Sequence, residues 1–251
     1  MGRRTGSWKE AHYPESRFGG FTDVDGTVSF YFRVQALLRP QSEVLDVGCG
    51  RGAWVEDPVG ARKDLRWMKG KCARVIGIDV SETGRENPSL DEFRLLESER
   101  WPLADASVDL VLADHVLEHV ASPETFFSEC RRVLRATGHL CLRTSNRWSY
   151  VALASRLVPN HRHAAVLARA QDGRHPQDVF PTLYRCNTAR GLRRMLAASG
   201  FDAVVRPREA EPSYLAFSRL AYALGVLHQR LAPGAVRPAL FVFARKSPDP
   251  P

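Results

Sequence analysis

The stretch VLDVGCGRGAW, residues 44–54, runs from an apolar segment straight into three glycines, Gly48, Gly50 and Gly52. Such a run, stopped by glycines, reads as a buried strand followed by a tight turn and a helix start. Glycine at three alternating positions lets a ligand approach the backbone closely. Gly48, Gly50 and Ala53 also satisfy G-x-G-x-x-G/A, the fingerprint of a dinucleotide site, which alone does not identify the ligand. Asp46 discriminates between ligands, because a carboxylate two residues before the first glycine repels a pyrophosphate and attracts an ammonium group.

Outward from that turn, strands alternate with helices. RVIGIDV (74–80), EFRLLES (92–98), SVDLVLAD (107–114) and HLCLRT (139–144) read as the second to fifth strands, and FDAVVRP (201–207) and ALFVFARK (239–246) as the last two. SPETFFSECRRVL (122–134) reads as a helix with Ser122 at the N-cap and Pro123 at N1, where a missing N–H costs nothing. NTARGLRRMLAASGF (187–201) reads as a helix capped by Asn187 or Thr188 and stopped by Gly200. This alternation predicts an α/β fold with a doubly wound, mostly parallel sheet whose ligands bind beyond the carboxyl ends of the strands. Residues 57–73 read as a hydrophilic surface excursion. Residues 1–40 read as an N-terminal arm and a helix, and the whole chain, 1–251, as a single domain with two inserts, 146–186 and 213–231.

The chain has 251 residues and a formal net charge of +8, from 31 arginines and five lysines against 28 acids. The arginines are scattered rather than clustered, so nucleic acid is not the expected partner. Five cysteines without CxxC spacing suit reduced thiols, and the charged start lacks an apolar leader segment, so a cytoplasmic protein is expected. No uninterrupted apolar stretch has the length of a membrane span.

VLDVGCGRG, VIGIDVS, WPLADASVDLVLADHVLEHV, ECRRVLRATGHLCLRTSN and GFDAV, in this order over residues 42–206, resemble the motifs of class I S-adenosylmethionine-dependent methyltransferases. The resemblance implies a Rossmann-like, seven-stranded sheet whose last strand is antiparallel, with S-adenosyl-L-methionine as cofactor. It implies that Gly48, Cys49, Gly50 and Gly52 form the turn under the methionine part and that Asp46 serves its amino group. It further implies that Asp79, followed by Val80, takes the ribose hydroxyls, that Glu97 and Ser98 lie at the adenine, and that Asp114 faces the methionine segment with Leu112 behind it. RATG (135–138) departs from the family's usual turn and keeps only Gly138.

Methyl transfer needs alignment of the acceptor and, for a hydroxyl or ammonium acceptor, a base. His115 and His119 in DHVLEHV are the candidates. His115, Glu118 and His119 also match H-x-x-E-H, and on a helical turn they would share a face. No metal is nevertheless expected, because His115 stands where metal-binding relatives carry a carboxylate. The insert 146–186 is the expected acceptor lid, with His161, His163 and Tyr184 as its contacts. The apolar segment 213–231 is expected to be a helix buried against protein, with closure of the acceptor pocket, a dimer contact and peripheral contact with lipid as its three uses. The expected activity is methyl transfer to a small-molecule, glycan or lipid-linked acceptor by a monomer or homodimer. A nicotinamide-dependent oxidoreductase and a non-catalytic binding protein of the same fold are the alternatives.

Overall fold

The computed structural model describes residues 8–157 and 181–247. Seven strands form one sheet: β1 (Glu43–Val47), β2 (Arg74–Asp79), β3 (Glu92–Leu95), β4 (Val108–Asp114), β5 (Leu134–Ser145), β6 (Phe201–Arg208) and β7 (Ala239–Lys246). Their order is β3-β2-β1-β4-β5-β7-β6. β1 to β5 pair in parallel, whereas β7 runs antiparallel to both β5 and β6. The expected seven-stranded sheet with an antiparallel last strand is present.

Strand periodicity sends alternate residues to two cores. Leu45, Val47, Val111 and Ala113 face one side, where helices α3 (Pro123–Val133) and α5 (Ala189–Ala198) bring Phe127, Cys130, Val133, Leu192 and Leu196. Val44, Leu110, Leu112 and Cys141 face the other, against Phe30, Tyr31 and Val34 of α1 (Gly26–Leu37). Asp46 alternates with Val44 onto this second side. Burial stabilises each of the Val, Leu and Phe side chains among them by roughly 1.5–3 kcal/mol.

Several boundaries differ from expectation. Within 57–73 lies a helix, α2 (Gly60–Arg66), because Asp57 and Arg62 hold its first turn through hydrogen bonds of 2.6 and 2.7 Å. β3 stops at Leu95, so Glu97 and Ser98 lie beyond it and are exposed. β5 starts at Leu134, directly after α3, and RATG forms an irregularity opposite Val108–Leu110 rather than a turn. Thr188, not Asn187, caps α5 by accepting from Gly191 N, while Asn187 donates to Thr144 Oγ1 and Ser145 O.

Two peripheral pieces frame the sheet's carboxyl edge. Asp25 caps α1 by accepting from Thr27 N and Val28 N, and upstream of it Tyr13 packs on Tyr222 and Val226. These two belong to α6 (Arg219–Leu231), the helix of the 213–231 insert. The expected burial holds for one face only. Phe217, Leu220, Leu224, Leu227 and Leu231 recur at helical spacing and are exposed among the described residues. The 146–186 insert opens with helix α4 (Tyr150–Leu157). Among the described residues no helix is long and apolar enough to cross a membrane.

Candidate functional site

The carboxyl ends of β1, β2, β4 and β5 converge at the point where the strand order reverses beside β1. After β1 the chain turns sharply. Gly48, Gly50 and Gly52 all take left-handed φ values, +66, +50 and +75°, which side chains rarely adopt. A Cβ at Gly48 would stand 2.5 Å from Val116 Cγ2, whereas one at Gly50 would meet nothing within 4 Å. The turn is thus closed toward the protein at Gly48 and open at Gly50.

Asp79 holds this turn. Its Oδ2 accepts from Gly50 N and its Oδ1 from Ser81 N, each at 2.9 Å. Asn87 completes the brace by donating to Cys49 O and Gly50 O. Cys49 itself is buried, and burial pushes its thiol well above the usual range. The Cys49 side chain therefore belongs to the core beside Gly77, leaving only its backbone to the turn. Val80 is exposed. Leu96 N donates to Asp79 O at 2.8 Å, which keeps the following Glu97 in the segment beside β2. The Ser98 hydroxyl is already engaged with Arg100 O.

Asp46 has no hydrogen bond from the described residues. Burial, then the neighbouring Asp114 carboxylate, raise its pKa to about 7, while the Arg66 guanidinium draws it back down. The half-buried Asp46 carboxylate thus has no protein hydrogen bond to offset the hydration it has lost.

Asp114 is engaged by donors of the protein itself. Arg143 Nε and Nη2 reach its two oxygens at 2.6 Å each, and Tyr31 Oη and Arg66 Nη2 add bonds of 2.9 and 3.1 Å. Burial opposes its charge, but Arg143 above all holds the carboxyl well below the usual range. Three of these four donors meet Oδ2 and one meets Oδ1, so Asp114 orders the two arginines and keeps accepting capacity on Oδ1 alone. Leu112 is buried in the core below it. Arg66 keeps its Nε buried without a partner and stacks over Tyr31 and Trp54.

The histidine motif divides. His115 has φ +59°, lies before the short 3-10 turn Leu117–His119, and is held by its N–H to Arg143 O. Its Nδ1 meets Glu118 Oε1 at 2.9 Å. Glu118 is buried and also accepts from Thr144 and Ser145 hydroxyls. Burial would raise the Glu118 pKa, but the His115 charge and hydrogen bonds from His115 and Thr144 hold it near 2. His119 turns away, and its Nδ1 meets Pro181 O at 2.8 Å. The three residues do not share a face, because a left-handed residue followed by a 3-10 turn replaces the α-helical spacing. Among the described residues no group of His, Cys, Asp and Glu is placed to hold a metal.

Beyond His115 and Arg143 opens a cavity of about 310 Å³, lined among others by Thr27, Tyr150, Tyr184 and Arg208. Tyr184 reaches it from the end of the 146–186 insert, where Leu183 N and Tyr184 N donate to Glu118 O. His161 and His163 lie outside the described residues. The 3-10 turn Ser213–Leu215 supplies Ser213 and Tyr214 to the same wall. Sequence reading missed Arg143, Arg66, Tyr31 and Asn87. Only Arg143 left a signal, a charge inside an otherwise buried strand.

Residues 45–142 match the family model described as a methyltransferase domain. The chain is 30% identical over 171 residues to a ubiquinone biosynthesis O-methyltransferase of Agrobacterium fabrum, covering 65% of this chain and 60% of that one. It is 36% identical over 112 residues to a probable S-adenosylmethionine-dependent methyltransferase of Mycobacterium tuberculosis, covering 43% of this chain and 37% of that one. The chain therefore spans less than two thirds of the length of these relatives. Among solved structures, an S-adenosylmethionine-dependent methyltransferase from Archaeoglobus fulgidus aligns with a TM-score of 0.55 at 16% identity, over 92% of this chain and 97% of that one. A putative methyltransferase in complex with the Haloferax volcanii Trm112 activator aligns at 0.56 and 16% identity, over 99% and 98%.

Proposed function

We propose, from the premise that this chain belongs to the class I S-adenosylmethionine-dependent methyltransferase family, that it transfers a methyl group to an acceptor held in the cavity beside His115. The observation that carries this reading is Asp46, a half-buried carboxylate with no hydrogen bond from the described residues, set beside Arg66, whose Nε has no partner. An anion and a cation side by side match the two ends of an amino-acid zwitterion. The Asp46 carboxylate takes the ammonium and Arg66 the carboxylate of the cofactor's methionine end. A pyrophosphate in the same place would add to the charge of Asp114 on Asp46, which disfavours the nicotinamide dinucleotide reading.

The open face at Gly50 admits the cofactor against the turn, and the remaining lone pairs of Asp79 receive the ribose hydroxyls. Glu97, in the exposed segment that follows, accepts from the adenine amino group. When bound, the cofactor supplies an activated methyl group whose carbon–sulfur bond breaks as the acceptor bonds to carbon. The protein's share is alignment, exclusion of water and removal of a proton. Glu118 holds the Nδ1 side of His115, which leaves Nε2, on a half-exposed ring, to take the acceptor's proton. Tyr184 covers the acceptor from the lid segment.

Calorimetry on the full chain with S-adenosylhomocysteine and with NAD tests the reading. Saturable binding of S-adenosylhomocysteine and none of NAD is the expected outcome, and binding of NAD alone overturns it.

A further inference from the structure

The acceptor cavity has one wall whose charge is unbalanced. Three guanidiniums line it: Arg62, Arg143 and Arg208. Arg62 is paired with Asp57 and Asp25, at 2.6 and 3.2 Å. Arg143 is paired with Asp114. The two carboxylates that line the cavity are also engaged, Asp25 by the α1 cap and Arg62, Glu211 by Thr22 Oγ1 and Lys9. Arg208 has no such partner among the described residues. It ends β6, is half-buried, and donates Nη2 to Ser29 Oγ at 2.9 Å. Burial lowers its pKa, and the charges acting on it, Arg206, Arg237 and Arg33, are all cationic and lower it further.

A desolvated guanidinium among other cations is costly until an anion arrives, and its planar fork suits a carboxylate or phosphate. Phe241, Tyr150 and Tyr214 add apolar and aromatic area to the lining of the same cavity. The volume of about 310 Å³ sits at the lower end of small-ligand pockets. From these observations, and resting on the methyltransferase reading above, we infer that the acceptor is a small molecule with an apolar or aromatic body and an anionic group, carboxylate or phosphate, bound by Arg208. The anion anchors one end of the acceptor and directs the other toward His115.

Calorimetry on the full chain saturated with S-adenosylhomocysteine tests this with three probes of one shape, benzoate, phenyl phosphate and the uncharged benzamide. The expected result is that benzoate or phenyl phosphate binds at least about tenfold more tightly than benzamide, the worth of one charge-assisted contact. The better of the two names the anion. Arg208→Gln abolishes that preference and Arg208→Lys keeps part of it, while both variants bind S-adenosylhomocysteine like the wild type, which shows that they fold. Equal binding of all three probes, no binding of any, or a preference that survives Arg208→Gln overturns the inference. Failure of the wild type to bind S-adenosylhomocysteine at all instead removes the methyltransferase reading on which it rests.

Discussion

Asp114 and Arg143 stand opposite each other in register on the parallel strands β4 and β5, and meet through two hydrogen bonds of 2.6 Å. The pair sits at the carboxyl edge of the sheet, where Arg143 also lines the cavity. Its backbone neighbour is His115, whose N–H is held by Arg143 O. The pair thereby fixes Arg143, which lines the cavity and holds the backbone of the candidate base.

Asp114→Ala should destabilise the protein by about 3–5 kcal/mol, because it leaves Arg143 and Arg66 buried without their counter-charge. In a chain of this size that corresponds to a fall in Tm on the order of 10 °C. Thermal unfolding followed by circular dichroism measures it, and an unchanged Tm would show that the pair contributes no net stability.

Asp79→Ala should weaken S-adenosylhomocysteine binding by roughly 2–4 kcal/mol, or about 30- to 1000-fold, as two charge-assisted hydrogen bonds are lost. Because Asp79 also holds Gly50 N, part of the loss comes from loosening of the turn. Asn87→Ala, which loosens the same turn from the other side, should cost less. Calorimetry that found the two equal would assign Asp79 to bracing alone.

Cofactor affinity should depend on pH through Asp46. Burial raises its pKa to about 7, so the unbound protein keeps a proton there in acid. That proton's contribution to stability is present below the usual carboxylate range and is lost as pH rises through about 7. Binding of an ammonium group has the opposite sign, since it requires the ionised carboxylate. S-adenosylhomocysteine affinity should therefore fall as pH drops below 7, by up to about tenfold per unit, with proton release on binding. Asp46→Asn should bind weakly and lose this dependence.

His115→Gln should lower kcat by about 10²–10⁴-fold with little change in S-adenosylhomocysteine affinity, as expected for loss of a base outside the cofactor pocket. His119→Gln should leave kcat within a few-fold, since His119 points to Pro181 O. Steady-state kinetics with a transferable acceptor decides between them. A larger loss at His119 would reverse the assignment.

The order of strands and helices, the glycine turn and the aspartates that end β2 and β4 were legible in sequence. Each of these depends on local periodicity or on a backbone conformation that few residues tolerate. The α2 helix was not legible, because a seven-residue helix rich in charge has no apolar period and is held by Asp57 and Arg62. The exposed leucines of α6 also escaped, since composition does not tell which face a neighbour covers.

What the sequence by itself determined, then, is the alternating fold, the glycine turn after β1 and the placement of Asp46 within β1 and of Asp79 and Asp114 at strand ends. Only the tertiary structure decided that Asp114 pairs with Arg143, that His115 and His119 part company, and that Arg208 stands at the cavity wall without a counter-charge among the described residues. The physical reason is that strand position follows from short-range periodicity. The state of a charge depends on which distant residues, 29 positions away for Asp114 and Arg143, and which solvent remain around it.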